Sequence, residues 1–376
     1  MPPLDLDLSQ AVTYHYDQFP PTDLDARRLM RPLAAAAGAL ARYDQMLKGM
    51  HNSEILLAPL RSQEAVVSSR MEGTVSTLDE VLRYEADRED DIATQGSYRS
   101  EAIEVYLYGQ ALTAAQQSLR EGAPISSWLL RSAHKVLLGF GRGAHMSPGE
   151  FKTEQNYLAD RGRRKVLFVP IRPEQLSDGM EKLIAFIADE SWELLLRTAL
   201  AHVEFEALHP FKDGNGRIGR MLITLMLWRY GAITAPHFYI SGYFERRRDE
   251  YIDRMKEVSR SGAWTDWAIF FLEALEDQAA QNLQQAESIR ALYDEMKDRF
   301  RELLSSQWHT TALDFVFTRP VFRNNVFTGK SGIPGPTAHR FTRLLSENGL
   351  IQTIEPAAGR RPALYAFEPL LELVRS

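Results

Sequence analysis

The chain has 376 residues, of which 44% are hydrophobic and 25% charged, and its formal net charge is -6. This composition is typical of a globular protein, and a length above about 250–300 residues predicts more than one hydrophobic core. The acidic balance argues against nucleic-acid binding by the chain as a whole. The absence of cysteine excludes disulfides, thiolate nucleophiles and cysteine-ligated metals, and it favours a cytoplasmic location.

The two ends of the sequence differ in character. The opening residues lack the basic start and apolar stretch of a secretory signal, and no apolar run approaches the roughly 20 residues of a membrane span. We therefore expect no membrane partner. From Arg301 onward, nine Lys/Arg stand against six Asp/Glu, a net of +3 on an otherwise acidic chain. This shift predicts a separate C-terminal module.

Helical periodicity dominates the sequence. Pro59 predicts a break in the second helical stretch, and Gly73 predicts its end. The stretches with helical patterning are, in chain order, 22–47, 52–74, 74–87, 100–119, 127–140, 174–189, 191–208, 217–231, 249–262 and 264–304.

Two stretches interrupt the helical pattern. Residues 139–175 are rich in Gly, Arg and Pro, and "RRKVLFVPI" (163–171) predicts a short strand or hairpin arm that Pro170 ends. Residues 320–367 predict a helix, a turn, a second helix and two strands around a Gly-Arg-Arg turn. The second helix has an apolar face with Arg340 lying away from it, which is winged-helix patterning.

The most informative stretch is "HPFKDGNGRIGR" (209–220). Its "GNGRIG" fits the glycine pattern of a dinucleotide-binding turn, but that turn must follow a strand. The preceding "LLLRTALAHVEFEAL" is helical in period, so we reject this interpretation. A zinc site is a second alternative, because His202, Glu206 and His209 share one helix face. For His202 and Glu206 we favour ordinary helix packing.

A third interpretation uses every residue of the motif. A helix ends near His209, a turn follows, and a second helix begins near residues 215–217. Its first N–H groups have no partner within the helix and form an anion site, which Gly214 leaves open to a phosphate. Arg217 and Arg220 share one helix face and reach the same polyphosphate. Asp213 suits Mg2+, and His209 suits a general base.

The motif resembles that of the Fic family, H-x-F-x-D/E-G-N-G-R-x-x-R. The resemblance implies a mainly α fold: a Fic-type helical core with a small β-hairpin flap, an N-terminal helical domain and a C-terminal winged helix. The implied domains are 1–110, 111–285 and 286–376. Fic enzymes are mostly protein adenylyltransferases, which move AMP from ATP to a Ser, Thr or Tyr hydroxyl and release pyrophosphate.

The resemblance also implies residue roles. His209 is the catalytic base, Phe211 a buried anchor of the loop, and Asp213 the Mg2+ ligand. Arg217 contacts the β-phosphate and Arg220 the γ-phosphate, while Asn215 with the nearby N–H groups holds the α- and β-phosphates. The implied ATP-binding set is Glu72, Gly214, Asn215, Gly216, Arg217, Ile218, Gly219, Arg220 and Tyr251, the last as a wall of the adenine pocket.

A second short match lies upstream. "SSRMEG" (68–73) resembles the Fic inhibitory pattern [S/T]-x-x-x-E-[G/N], with Ser68, Glu72 and Gly73 at its fixed positions. The resemblance implies that Glu72 pairs with Arg220 and misaligns the nucleotide. A glutamate at a helix C-terminus faces the negative end of the dipole, so a cationic partner would suit it.

The resemblance further implies that residues 162–171 form the flap. An exposed edge strand there would pair with an extended target peptide. The C-terminal module would bind DNA or a protein, and formation of a homodimer is a further alternative. Two other functions also stay open: removal of AMP by the same fold, and a DNA-binding regulator whose core only senses nucleotide.

Overall fold

The computed structural model describes residues 7–89, 98–160 and 165–375. Helices dominate these residues, which confirms the predicted mainly α class. The helices are α1 (Ala26–Gly49), α2 (Ser53–Leu56), α3 (Ala58–Met71), α4 (Leu78–Arg88), α5 (Ser100–Arg120), α6 (Ser127–Leu137), α7 (Pro173–Ala188), α8 (Leu194–Leu208), α9 (Asn215–Arg229), α10 (Ser241–Arg246), α11 (Arg248–Ser261), α12 (Trp264–Leu304), α13 (His309–Thr318), α14 (Asn324–Lys330), α15 (Gly335–Glu347) and α16 (Glu368–Arg375).

The strands are few and short among the described residues. They form two three-stranded sheets, one before α7 and one near the C-terminal end of the chain. The strands are β1 (Val12–Thr13), β2 (Leu158–Asp160), β3 (Lys165–Val169), β4 (Val321–Arg323), β5 (Gln352–Glu355) and β6 (Leu364–Ala366).

The predicted break at Pro59 is confirmed. The stretch 52–74 contains α2 and α3, which meet at Leu57, and Pro59 lies in the first turn of α3. That position suits proline because its missing N–H would have no partner there. Gly73 follows Glu72, the C-terminal cap of α3, and has a φ of +84°, so the predicted glycine stop is confirmed as well.

The chain divides into two compact units. The first takes residues up to Ala41 together with Gln110–Ala280, and the second takes Arg42–Gly109 together with Gln281–Ser376. The second unit therefore groups residues 42–109 with the C-terminal elements. The domains 1–110, 111–285 and 286–376 stay a prediction.

The centre of the first unit is the helix pair α8 and α9. Both helices are buried around almost their whole circumference, and α8 packs against α7 and α9. Helices that are buried on every side occupy the middle of a helical domain. The loop between them, which begins at His209, is therefore positioned by the core of this unit.

The first sheet has the order β1-β3-β2. β3 pairs parallel to β1, with Val12 opposite Phe168, and antiparallel to β2, with Leu158 opposite Phe168. The predicted flap strand is confirmed over Lys165–Val169, while residues 162–164 lie outside the described residues. The expectation that this strand is an exposed edge is wrong, because β1 and β2 occupy both of its edges. The exposed edge next to β3 belongs to β2.

The residues that follow β1 are fixed to the helical core. Tyr14 Oη donates to Glu204 Oε1 at 2.7 Å, and His15 Nε2 lies 2.8 Å from Glu204 Oε2. On the other side of the ring, His15 Nδ1 is 2.7 Å from Ser259 Oγ. His15 and Glu204 are both buried. This segment therefore joins the sheet to α8 and α11.

The second unit connects the helices before residue 109 with the C-terminal elements. Arg323, on β4, is fully buried and pairs with Asp87 of α4 and with Glu355 of β5, each at 2.7 Å. The predicted order of helix, turn, helix and two strands is present as α14, α15, β5 and β6. Phe341 on α15 is buried and Arg340 is exposed, as predicted. The winged-helix assignment itself stays a prediction.

The described part of the chain contains no helix with the length and apolar character of a membrane span.

Candidate active site

The six-residue loop between α8 and α9 begins with a left-handed residue. His209 caps α8 with φ 46° and ψ 60°, and its N–H donates to Phe205 O at 3.0 Å. A residue other than glycine adopts this conformation at a cost of about 1–3 kcal/mol, which is met where the surroundings enforce it. The strain therefore falls on the residue that the motif assigns to catalysis.

A backbone contact sets the tautomer of His209. Its Nδ1 lies 3.3 Å from Glu206 O, one turn earlier on α8. A carbonyl oxygen only accepts, so Nδ1 carries the proton and Nε2 carries the lone pair. The half-buried ring can thus accept a proton at Nε2, as a general base requires.

Asn215 shapes the loop through its own side chain. Its Oδ1 accepts from Phe211 N and its Nδ2 donates to Phe211 O, both at 2.8 Å. Phe211 is fully buried, which confirms it as the anchor of the loop. Both ends of the Asn215 side chain thus bind the loop backbone and hold the turn. The implied contact of Asn215 with the phosphates stays a prediction.

Two residues from the segment before β2 hold the loop from the other side. Asn156 Nδ2 donates to His209 O at 3.1 Å and to Phe211 O at 3.0 Å. Lys152 Nζ donates to Asn156 Oδ1 at 2.7 Å and to Leu208 O at 3.0 Å. Burial lowers the pKa of Lys152 to about 7. Sequence reasoning missed Asn156, because the loop that it binds lies more than 50 residues away.

His134 of α6 supports the loop through its ring. The ring stacks on Phe211 with centroids 3.8 Å apart. Its Nδ1 accepts from Gly149 N at 2.8 Å, so Nε2 carries the proton and donates to Asp213 O at 2.9 Å. Burial lowers the pKa of His134 to about 4, which keeps the ring neutral near pH 7. No sequence signal distinguished this histidine.

The start of α9 has the features of an anion site. Gly214 precedes the helix with a φ of +79°, a conformation that glycine adopts without strain. The first N–H groups of α9 have no acceptor one turn earlier within the helix. Arg217 and Arg220 are both buried near this end, with 1% and 2% of their surfaces exposed. Positive charge is therefore concentrated at the point where the loop enters the helix.

Asp213 lies at the surface of the loop. Its side chain is 39% exposed, Oδ1 accepts from Gly214 N at 2.8 Å, and Oδ2 is 3.7 Å from Arg217 Nη2. One accessible carboxylate suits Mg2+ when substrate phosphates and water complete the coordination. The described residues hold no cluster of three or more His, Asp or Glu arranged for a metal ion, so the zinc alternative has no ligand set.

The last part of the motif faces the core. A Cβ on Gly219 would lie 2.2 Å from Glu206 Oε1, so any larger residue here would displace the Glu206 side chain. Ile218 is fully buried. These two residues lie in the packed core beside α8, and their implied contact with ATP stays a prediction.

His202 and Tyr251 form a buried pair. His202 Nδ1 donates to Gly219 O at 3.1 Å, and Nε2 lies 2.8 Å from Tyr251 Oη. The Tyr251 ring stacks on Phe244 with centroids 4.4 Å apart and is 3% exposed. The expected ordinary packing of His202 is confirmed. Tyr251 lies within an aromatic cluster of the core.

An apolar cavity of about 200 Å³ lies beside the last turns of α8. It lies between the sheet and the two helices α8 and α11. Its lining includes Glu206, whose backbone carbonyl contacts His209. The α11 residues that line it are Ile252, Met255 and Lys256. Ile252 directly follows Tyr251 in the sequence. The walls from the sheet and from α8 are Leu158, Ala159, Leu167, Phe168, Val203 and Ala207.

The residues of the inhibitory pattern lie in the second unit. α3 contains Ser68 and ends at Met71, and Glu72 is its C-terminal cap. Glu72 N donates to Ser69 O at 3.0 Å. The pairing of Glu72 with Arg220 stays a prediction.

Comparison with known proteins identifies the family. Residues 30–117 match the Fic/DOC family N-terminal domain, and residues 124–227, which include the whole loop, match the Fic/DOC family domain. The chain carries Fic/DOC family domains. The Fic match ends within α9, so it takes in every residue of the anion site described above.

Individual relatives agree with this assignment. Protein adenylyltransferase fic-1 of Caenorhabditis elegans is 33% identical over 101 residues, 26% of this chain and 18% of that protein. A uridine 5'-monophosphate transferase of Xanthomonas campestris is 38% identical over 72 residues, 17% of this chain and 13% of that protein. The matches thus span less than a fifth of the length of these two relatives.

A solved structure extends the likeness of fold. A Fic family protein from Desulfovibrio desulfuricans G20 superposes with a TM-score of 0.57 at 19% identity, covering 93% of this chain and 98% of that one. At this identity the comparison supports the fold alone.

The His134→Gln variant tests the neutral histidine beneath the loop. Because burial lowers the pKa of His134 to about 4, the unfolded chain binds a proton that the folded chain does not. The stability linked to His134 is complete above about pH 6.5 and declines as the pH falls toward 4, by about 2 kcal/mol at about pH 5. Denaturant unfolding at several pH values should show a shallower pH dependence in the variant.

The control for His134→Gln is His145→Gln, because His145 is exposed. The control should keep the wild-type dependence on pH. An unchanged slope in His134→Gln would contradict the assignment.

The Asn156→Ala variant tests the clamp on the loop. It removes the donor to His209 O and Phe211 O and the acceptor of Lys152 Nζ. Buried polar groups that lose a partner cost about 1–3 kcal/mol each, so the free energy of unfolding should fall by at least about 1 kcal/mol. Gln175→Ala, at an exposed position of α7, is the control. Equal stability of the two variants would argue against the clamp.

Proposed function

We propose that the chain is a protein adenylyltransferase, which transfers AMP from ATP to a Ser, Thr or Tyr hydroxyl of a target protein or of itself. The observation that carries the proposal is the placement of His209, with its basic Nε2, at the loop that ends in the anion site of α9. The name of the C. elegans relative agrees with this reaction.

The proposed reaction is one displacement at phosphorus. The target hydroxyl oxygen forms a bond to the α-phosphorus, and the bond from that phosphorus to the bridging oxygen breaks, releasing pyrophosphate. His209 Nε2 accepts the hydroxyl proton. Such a transfer depends mainly on positioning and on neutralisation of charge, which the N-terminus of α9 and the guanidinium groups of Arg217 and Arg220 supply.

Asp213 is the proposed ligand of Mg2+, which would neutralise charge on the phosphate oxygens when bound. The position of Asp213 supports this role. The residue lies in the turn after Phe211 and immediately before Gly214, so its carboxylate is next to the anion site at the start of α9. The hydrogen bond from Gly214 N fixes its orientation. In this orientation Asp213 Oδ2 lies on the side of Arg217, where phosphate oxygens are expected.

The apolar cavity beside α8 is the proposed site of the nucleotide base. Its walls from β2 and β3 are apolar, as are Ile252 and Met255 of α11, and a planar base buries its faces against such surfaces. Ile252 and Met255 are the proposed contacts from α11 in this cavity, and the implied contact of Tyr251 with the adenine stays a prediction. One relative is named a protein adenylyltransferase and another a uridine 5'-monophosphate transferase. The preference of this site for adenine or uracil should therefore be measured.

The proposed docking site for the target is the outer edge of β2. A peptide that pairs there would extend the sheet whose central strand, β3, borders the same cavity. Main-chain pairing aligns an extended segment with little dependence on its sequence. Autoinhibition by Glu72 is part of the proposal, and it rests on the inhibitory sequence pattern and on the position of Glu72 at the end of α3.

The His209→Ala variant tests the reaction. With α-labelled ATP, labelling of self or of lysate proteins should fall by at least about 10²-fold because the general base is lost, while ATP binding is retained. His145→Ala is the matched control at an exposed histidine. Parallel assays with the four nucleoside triphosphates should give the highest labelling with ATP. Full labelling by His209→Ala would exclude the proposed mechanism. A preference for UTP would indicate that the protein transfers UMP and not AMP.

The Glu72→Gly variant tests autoinhibition. Loss of the carboxylate should raise labelling roughly tenfold, a typical size for a regulatory coupling. Glu121→Gly is a matched control, because Glu121 also follows the last residue of a helix, α5, and precedes a glycine of positive φ, Gly122. Labelling that stays unchanged or falls in Glu72→Gly, with the protein still folded, would contradict autoinhibition by Glu72.

A further inference from the structure

A second cavity lies at the other end of the two helices that carry the active site. Its volume is about 520 Å³. α8 has 15 residues, so at about 1.5 Å per residue its two ends are roughly 22 Å apart. The cavity is therefore distinct from the loop at His209. Its principal lining residues are Glu190, Trp192, Arg197, Trp228, Arg229 and Tyr230.

Arg197 is the unusual residue of this cavity. It lies in the first turn of α8 and is 2% exposed. Its Nε and Nη1 are buried and have no hydrogen-bond partner among the residues that the structure describes. The guanidinium carbon lies 4.3 Å from the ring centroid of Tyr230. This cation–π contact engages the charge of the guanidinium and does not replace a hydrogen-bond acceptor for its N–H groups.

The acidic residues nearby do not supply that acceptor. Asp189 Oδ1 accepts from Ser191 N at 3.0 Å, and Glu193 Oε2 accepts from Leu196 N at 2.9 Å as the N-terminal cap of α8. Within the described ranges no carboxylate lies within ion-pair distance of Arg197. Glu190 and Arg229, both exposed, stand at the rim. Arg197 is therefore the charged group available inside the cavity.

The aromatic walls add apolar surface next to the guanidinium. Trp192 packs on Phe186 with centroids 5.2 Å apart, and the Trp228 ring faces Arg120 at 5.5 Å. Both indoles are partly exposed toward the cavity side of the protein. A guanidinium edge pairs with two oxygens of a carboxylate or phosphate, while flat apolar walls suit a planar ring.

We propose that this cavity is a second ligand site, which binds a small organic anion at the guanidinium group of Arg197 and holds its planar body against the aromatic walls. The start of α8 adds the positive end of a helix dipole. The site does not depend on the proposed transfer of AMP, and a failure of either proposal leaves the other intact.

Titration of the full-length protein with benzoate and with phenyl phosphate tests the site, followed by calorimetry and by tryptophan fluorescence. The two probes distinguish a carboxylate from a phosphate, and inorganic phosphate shows whether the ring contributes. We expect saturable binding of at least one aromatic probe that weakens by at least about tenfold in Arg197→Met. Arg229→Met, at the rim of the same cavity, should change the affinity by less than about threefold.

A third variant separates the cavity from the anion site of α9. Arg217→Met should lower binding of a phosphate probe at the active site and leave benzoate binding at the cavity intact. If Arg197→Met does not fold, as judged by circular dichroism, Arg197→Lys keeps the charge but loses the planar edge and should show the same tenfold loss. No saturable binding up to about 10 mM probe, or binding that survives in both Arg197 variants, would overturn the proposal.

Discussion

The left-handed turn at His209 is the constraint on which the candidate site depends. A histidine in this conformation is strained, and hydrogen bonds to the carbonyls around it hold the turn. Asn156, Lys152 and Asn215 donate to these carbonyls, and the ring of His134 supports the loop through Phe211. The loop is thus preorganised by groups that need not touch a substrate, and an enzyme needs such preorganisation to place a base beside a phosphate.

The distribution of charge follows from burial. Burial lowers the pKa of His134 to about 4 and that of His202 to about 3, so both rings are neutral near pH 7 and act as hydrogen-bonding supports. The fixed positive charge of the site therefore comes from Arg217, Arg220 and the start of α9. Proton transfer and phosphate binding are thus assigned to different residues. His209 can exchange a proton while the positive charge that would hold the phosphates stays constant.

Much of this site could be predicted from the sequence, because its central part is a contiguous segment. The end of α8, the turn, and the start of α9 follow from glycine, capping and helical period, which are local signals. The supports from Asn156 and His134 could not be predicted, since nothing in their neighbourhood specifies a partner 50 or more residues away. β1 has two residues and hence no measurable period, so neither the strand nor its parallel pairing with β3 was predicted. The grouping of residues 42–109 with the C-terminal elements likewise depends on distant contacts, such as Asp87 with Arg323.

The attachment of β1 has a practical consequence for shortened versions of the protein. A chain that starts after Tyr16 would leave the N–H and C=O groups of one side of β3 without partners, and a bare strand edge promotes aggregation. The same deletion would remove both Tyr14 and His15 from Glu204, leaving a buried carboxylate on α8 without these partners. Trimming designs should therefore retain the residues from Asp7 onward.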